Sequence, residues 1–208
     1  MGLTAKDKGG EGFAPIEEGM HHAICYGVYD LGTHYDEKFS KSVHKVLIQW
    51  ELPEERIDIE KDGVMKNLPR AISNKYTLSL HKKAILRRDL EAWRGKTFSD
   101  TELEGFDITK LLGVNCLLQV LHTKKDDKVY ANIKSIVPLM KGTEKKAPEN
   151  PLKYFSFEEQ ESHIPDGTPD WIIDIIKVSN EWDEGINEQH DVSYDDPPPP
   201  GDSDQIPF

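Results

Sequence analysis

The sequence predicts a mainly β domain with helices: a small five-stranded barrel, a helix between its third and fourth strands, a C-terminal helix and a disordered acidic tail. Three observations predict it. Five segments before residue 140 alternate apolar and polar residues with the two-residue period of strands. One segment breaks that period and places Leu86, Leu90 and Trp93 at i, i+4 and i+7, the spacing of a helix that buries one face. The third is a shift in composition. Residues 1–150 hold 24 lysines and arginines against 23 acids, while residues 151–208 hold 2 against 15. With 208 residues and 37% hydrophobic content, the chain has enough for one domain with a core plus appendages.

Residues 1–19 are polar and glycine-bearing and read as a flexible arm. The first strand falls at 20–31, with His22, Ile24, Tyr26 and Val28 on one face and Ala23, Cys25, Gly27 and Tyr29 on the other. Both faces are partly apolar, as in a bent barrel strand, and Gly27 marks a bend or bulge. A polar turn at 32–42 carries Tyr35, Lys38, Phe39 and Lys41. The second strand, 43–52, sets Val46, Ile48, Trp50 and Leu52 inward, with Lys45, Gln49 and Glu51 outward. Trp50 therefore reads as core rather than as a stacking platform. Residues 53–66 read as a charged loop turning at Asp62-Gly63. The third strand, 68–78, turns Ile72, Tyr76 and Leu78 inward.

Ser79 is placed to cap a helix over 80–94 that Gly95 stops. Ser99 with Glu102 has the spacing of a capping box, and Asp107 caps a short helix at 108–112. Strands follow at 115–122 and 128–138, with a turn at 124–127 between them. Val129, Ala131 and Ile133 point inward; Tyr130, Asn132 and Lys134 point outward. Three strands, a helix and a hairpin is the element order of the OB-fold, a Greek-key barrel; an open α+β sheet is the alternative. The domain spans 20–140. Residues 141–178 are a linker and a docking helix, opened by Thr168-Pro169-Asp170-Trp171 and too apolar to stand free in water. Residues 179–208 read as a disordered acidic tail.

Nine basic residues lie between 66 and 96: Lys66, Arg70, Lys75, Lys82, Lys83, Arg87, Arg88, Arg94 and Lys96. Only Asp89 and Glu91 oppose them. Such a cluster suits a phosphate backbone, which supplies most sequence-independent affinity through counterion release. Its plain alternative is a solvated helix face. Single strands also need aromatic faces for their bases, and Tyr35, Phe39 and Tyr130 are the candidates, with Lys41, Lys45 and Lys134 beside them. Little points to catalysis. His21-His22 lacks a third ligand, and Asp58, Glu60 and Asp62 lack the pattern of a calcium loop. No phosphate-binding glycine loop and no nucleophile elbow occurs. The expectation is a protein that is not an enzyme and takes neither metal nor cofactor. Cys25 and Cys116 read as buried free thiols of a reducing compartment. With no apolar run near the ~20 residues of a membrane span, the expected location is the cytoplasm, the host's if the chain is viral.

The stretch Phe106-Asp-Ile-Thr-Lys-Leu-Leu-Gly113, with the strands after it, resembles the last third of bacteriophage single-stranded-DNA-binding proteins of the OB-fold type. The tail, which carries Asp202 and Asp204 and ends Ile206-Pro207-Phe208, resembles the acidic termini of bacterial single-stranded-DNA-binding proteins. This chain departs from the bacterial pattern in its sparser aspartates and in the Trp171 helix. The resemblance implies a protein that coats single-stranded DNA in replication or recombination. It also implies a tip that recruits a helicase, polymerase or nuclease. Backbone and stacking contacts barely separate RNA from DNA. The rival reading is an adaptor whose barrel and Trp171 helix bind protein, with the tail as a solubilising tether.

Overall fold

A computed structural model describes residues 14–37, 40–61, 63–126, 128–158 and 163–182. Five long strands follow one another: β1 (Gly19–Asp36), β2 (Lys41–Lys61), β3 (Val64–Thr77), β4 (Asn115–Lys125) and β5 (Lys128–Val137). They form one sheet in the order β3-β2-β1-β4-β5, with antiparallel neighbours, and the short β6 (Lys153–Phe155) pairs parallel to β1. The sheet curls into an OB-like half-barrel whose edge strands, β3 and β5, approach one another. Helix α1 (Ile85–Arg94) lies between the third and fourth strands, as the sequence predicts.

The curl originates in β1. Its Gly19–Ile24 portion pairs with β4, and from Gly27 to Tyr29 the same edge pairs with β6. Two register shifts against β2, at Cys25/Gly27 and Asp30/Gly32, bend it. Tyr26 is the extra residue of the first bulge. It reverses the predicted alternation, so Ala23, Cys25 and Val28 all enter the main core. Gly27 is required there: a Cβ would stand 2.9 Å from the Tyr29 ring and 3.0 Å from Gln49 Oε1.

The main core holds Val46, Ile48, Trp50 and Leu52 of β2, with Leu86, Leu90 and Trp93 of α1 closing one end. The Trp50 and Trp93 rings lie 5.7 Å apart. Three expectations are corrected at β3 and α1. Residues 56–61 and 64–69 are not loop but a two-stranded ribbon, which tolerates charge because it stands out from the barrel. Leu78 is exposed rather than inward. The helix starts at Ile85, because the Ser79 hydroxyl accepts from the His81 backbone N–H two residues on and holds a turn. The Ser99–Glu102 capping box opens α2 (Asp100–Glu104), and Asp107 caps a 3-10 turn, Ile108–Leu111. In β5 a register shift opposite Gln119/Val120 leaves Lys134 as the unpaired bulge residue, and Val129 is exposed, not inward.

A second apolar cluster covers the outer face of β1 and β2. Helix α3 (Asp170–Lys177) sets Ile172 and Ile176 against Tyr29, Leu31, Leu47 and Phe155. This explains why both faces of the first strand read as apolar. The expected linker is fastened as well. Glu51, 0% exposed, accepts hydrogen bonds from the Glu149 and Asn150 backbone N–H groups at 2.8 and 2.9 Å and from Asn150 Nδ2 at 2.7 Å. Part of the expected arm is also fixed. Ile16, 5% exposed, enters the core; Arg70 donates to the Ala14 carbonyl at 2.6 Å, and His122 Nε2 lies 2.7 Å from the Ile16 carbonyl. Residues 14–18 thus cross from β3 to β4 over the open side of the half-barrel. Residues 1–13 lie outside the described part.

Cys25 and Cys116 are both free and buried. Burial pushes the Cys25 thiol up to about 12, and burial beside Cys25 raises Cys116. Neither forms the reactive thiolate near neutral pH. At pH 8 the folded protein should therefore give no fast reaction with Ellman's reagent, and two thiols after denaturation. One rapidly titrating thiol in the native protein would contradict this packing.

Candidate nucleic-acid interface

The predicted basic cluster is continuous in sequence but divided in space. Lys45 and Lys75 meet on the outer face of β2 and β3. The register pairs Lys45 with Thr77 and Leu47 with Lys75, so the two lysines are diagonal neighbours on one face. With His34, Thr77 and Ile175 of α3 they border a shallow depression of about 200 Å³. Neither makes an ion pair among the described residues. Lys66 stands on the ribbon opposite Ile59, and Lys82 and Lys83 are exposed in the turn before α1.

The arginines are largely committed to the fold. Arg70 holds residue 14, as described. Arg87 pairs with Glu91 at 3.0 Å and donates to the Leu80 carbonyl. Arg88 is exposed but lies 2.9 Å from Asp89. Arg94 is the clearest departure from expectation. Its side chain is only 14% exposed and pairs with Glu102, and its guanidinium lies 4.4 Å from the Phe98 ring centroid and 5.1 Å from that of Phe106. It bolts the end of α1 to the segment around α2. Lys96 is 4.0 Å from the same Glu102. Arg94→Ala should lower stability, with the ring contacts alone worth on the order of 1–2 kcal/mol. It should leave oligonucleotide affinity of the folded fraction within about twofold, since no phosphate contact is lost. A melt paired with a binding titration separates the two effects.

The aromatics divide in the same way. Tyr35, 63% exposed, lies opposite Ser42 at the end of the β1–β2 hairpin. Lys41 pairs with Asp36 in the register and so lies on the face opposite Tyr35, the outer face that Lys45 shares four residues on. Phe39 lies outside the described residues. Tyr130, 48% exposed, sits opposite Thr123 on the β4–β5 hairpin. That hairpin also carries Lys124, Lys125 and Lys128, all exposed and free of ion pairs among the described residues. The sequence pattern reads Lys124 and Lys125 as turn residues and Lys128 as the start of the last strand. Three lysines within five positions beside an outward tyrosine was the signal. The β2–β3 ribbon and the β4–β5 hairpin both extend toward the Gly19 end of β1, and the β1–β2 hairpin lies at the other end.

The root of the tail is anchored beside this surface. Glu181, just beyond α3, accepts from the Thr33 backbone N–H at 2.6 Å and from Thr33 Oγ1 at 2.5 Å. His44 lies between Glu181, at 3.5 Å, and Asp30, at 2.7 Å. Burial alone would raise the Glu181 carboxyl, but the Thr33 hydrogen bonds outweigh it and hold the group below the usual carboxylate range. Trp182, next to Glu181, is the last described residue, and residues 183–208 beyond it hold eight acids and no lysine or arginine. The tip residues Asp202, Asp204, Ile206, Pro207 and Phe208 lie outside the described part. Because α3 spends its apolar face on the sheet, that face is not open to a partner.

Among the described residues no group of three or more histidines, cysteines or acids is arranged to hold a metal. His21 pairs with Glu55 at 3.2 Å and His22 with Asn115 Oδ1 at 2.7 Å. Among the same residues no helix is long and apolar enough to cross a membrane. The chain matches no known family model, no characterised protein and no solved structure.

Proposed function

We propose that this protein binds single-stranded DNA without strong sequence preference during phage DNA replication or recombination. In this reading, its C-terminal tip recruits a helicase, polymerase or nuclease. The observation that carries the proposal is the pair Lys45 and Lys75, adjacent on the outer face of an OB-like sheet and free of carboxylate partners among the described residues. Tyr130 with Lys124, Lys125 and Lys128 at one end of that sheet supplies a stacking face and further cations; Tyr35 stands at the other end, at the tip of the β1–β2 hairpin and on its opposite face, where a strand rounding the tip would meet it. The strand follows these groups across the sheet, held by its phosphates and stacked on exposed rings, each stacked base worth ~1–3 kcal/mol. The acidic tail, rooted beside Lys45, competes weakly when the surface is empty and is displaced by DNA.

Two titrations test this, using a fluorescent oligodeoxythymidine and the chain with and without residues 202–208. Removing the tip should leave affinity unchanged or higher and abolish partner recruitment, and affinity should fall steeply with salt. A large loss of affinity on that deletion, or a flat salt response, would sink the proposal. An oligouridine run alongside reports the RNA preference.

A further inference from the structure

A cavity of about 720 Å³ is lined by none of the lysines and tyrosines proposed to bind DNA. It opens between the inner side of β1 and β2, the segment around α2 and the residues after β6. Val28, Val46, Leu86 and Phe106 give it an apolar lining, and its volume lies in the range of small-ligand pockets, about 300–1,000 Å³. All its charged lining groups are acidic: Asp30, Glu104, Asp107 and Glu158. Asp107 stays ionised because the Thr109 hydroxyl and backbone N–H hold its carboxyl below the usual range. Glu104 and Glu158 are exposed at the rim.

Asp30 is the second, independent sign. It is 9% exposed and lines the cavity. Its Oδ1 takes both near partners, the Gly32 backbone N–H at 2.8 Å and His44 Nε2 at 2.7 Å. Among the described residues its Oδ2 has only the Phe157 backbone N–H, at 3.5 Å. A buried carboxylate oxygen left this poorly satisfied favours a charged donor.

We propose that this cavity receives a short segment of a partner protein in which an arginine or lysine stands beside an apolar side chain. The basic group reaches Asp30 past the acidic rim, and the apolar neighbour packs on Phe106. Charge complementarity selects this occupant. DNA and the chain's own acidic tail carry the wrong sign, and a purely apolar ligand would leave the carboxylates unanswered.

The test uses the full-length protein, labelled with ¹⁵N, and three probes: acetyl-Leu-Arg-Phe-amide, acetyl-Leu-Gln-Phe-amide and a ten-residue oligodeoxythymidine. The arginine peptide should shift the amides of residues 28–30 and 104–109, with an affinity about tenfold above the glutamine peptide. Because Asp30 also holds His44, the variant pair is placed at the rim: Glu104→Gln with Glu158→Gln should weaken the arginine peptide about threefold or more and leave the melt unchanged. The oligonucleotide should leave these amides in place whether or not it binds at Lys45 and Lys75, so failure of either idea is read separately. Equal shifts from both peptides, no shifts from either, or movement of these amides by the oligonucleotide would overturn the assignment.

Discussion

Reversing Lys45 and Lys75 together, as K45E/K75E, should lower affinity for single-stranded DNA by about 100-fold while the protein stays folded. Both side chains stand on the outer face and have no ion-pair partner among the described residues, so their loss costs the fold little. Their gain of negative charge acts on the DNA twice. In the proposed binding mode it removes two phosphate contacts and adds repulsion near Glu181, beyond which the sequence holds eight further acids. The salt dependence should show the same loss. Each phosphate contact with a single strand contributes about 0.7 to the slope of log affinity against log salt, so two lost contacts reduce it by about 1.4. The same reversals at Lys124 and Lys125 should weaken binding less, because those side chains lie on a hairpin at the edge of the surface. Full affinity in K45E/K75E with a large loss in K124E/K125E would move the interface to the β4–β5 hairpin.

The fold was legible where local pattern and tertiary burial agree. Val46, Ile48, Trp50 and Leu52 alternate in the sequence and enter the core. Leu86, Leu90 and Trp93 keep helical spacing and do the same. Legibility ended where an added residue or a distant segment changes what a position faces. Tyr26 is inserted at a bulge, and the residues from Gly27 to Asp30 change face until a second bulge restores the alternation; Gly27 announced the first bulge but not which neighbour was extra. Leu47 and Glu51 sit at outward positions and should be wet. They are buried by α3 and by residues 149–150, about a hundred residues further on, and no pattern within β2 contains that fact.

The interface was legible in composition but not in arrangement. A count of charges between 66 and 96 weighs Arg94 and Lys75 equally. The structure spends Arg94 on Glu102 and two phenylalanine rings and leaves Lys75 open. The difference follows from partners: Arg94 ends a helix beside a second acidic helix, whereas Lys75 lies across from Leu47 with no acid in register. Lys45 and Lys75 make no ion pair among the described residues, whereas Arg87 and Arg94 of α1 are taken by Glu91 and Glu102. The sheet also brings the far end of the chain back to the first hairpin: Glu181, just beyond α3, is held by Thr33.

Ile176→Asp should release α3 and leave the barrel folded, the largest structural effect expected outside the main core. Ile172 and Ile176 are fully buried one turn apart, against Tyr29, Leu31, Leu47 and Phe155. A carboxylate at 176 would be desolvated among these side chains at a cost of several kcal/mol. An eight-residue helix has no stability of its own to set against that. The barrel does not share the damage, because Trp50, Trp93 and their neighbours form a separate cluster on the other side of β1 and β2. Ile176→Val, losing one methylene, should cost only about 0.5–1.5 kcal/mol and keep the helix docked. Gly32→Ala reaches the same outcome by another route. Its backbone has φ +73°, and a Cβ there would lie 2.5 Å from the Ser179 Cβ, so the helix end must lift. Hydrogen exchange read by mass spectrometry should show protection lost over residues 170–182 and kept over β1–β5 in both Ile176→Asp and Gly32→Ala. If protection falls together across helix and barrel, the two clusters form one cooperative unit, and the tail root cannot move without unfolding the surface proposed to bind DNA.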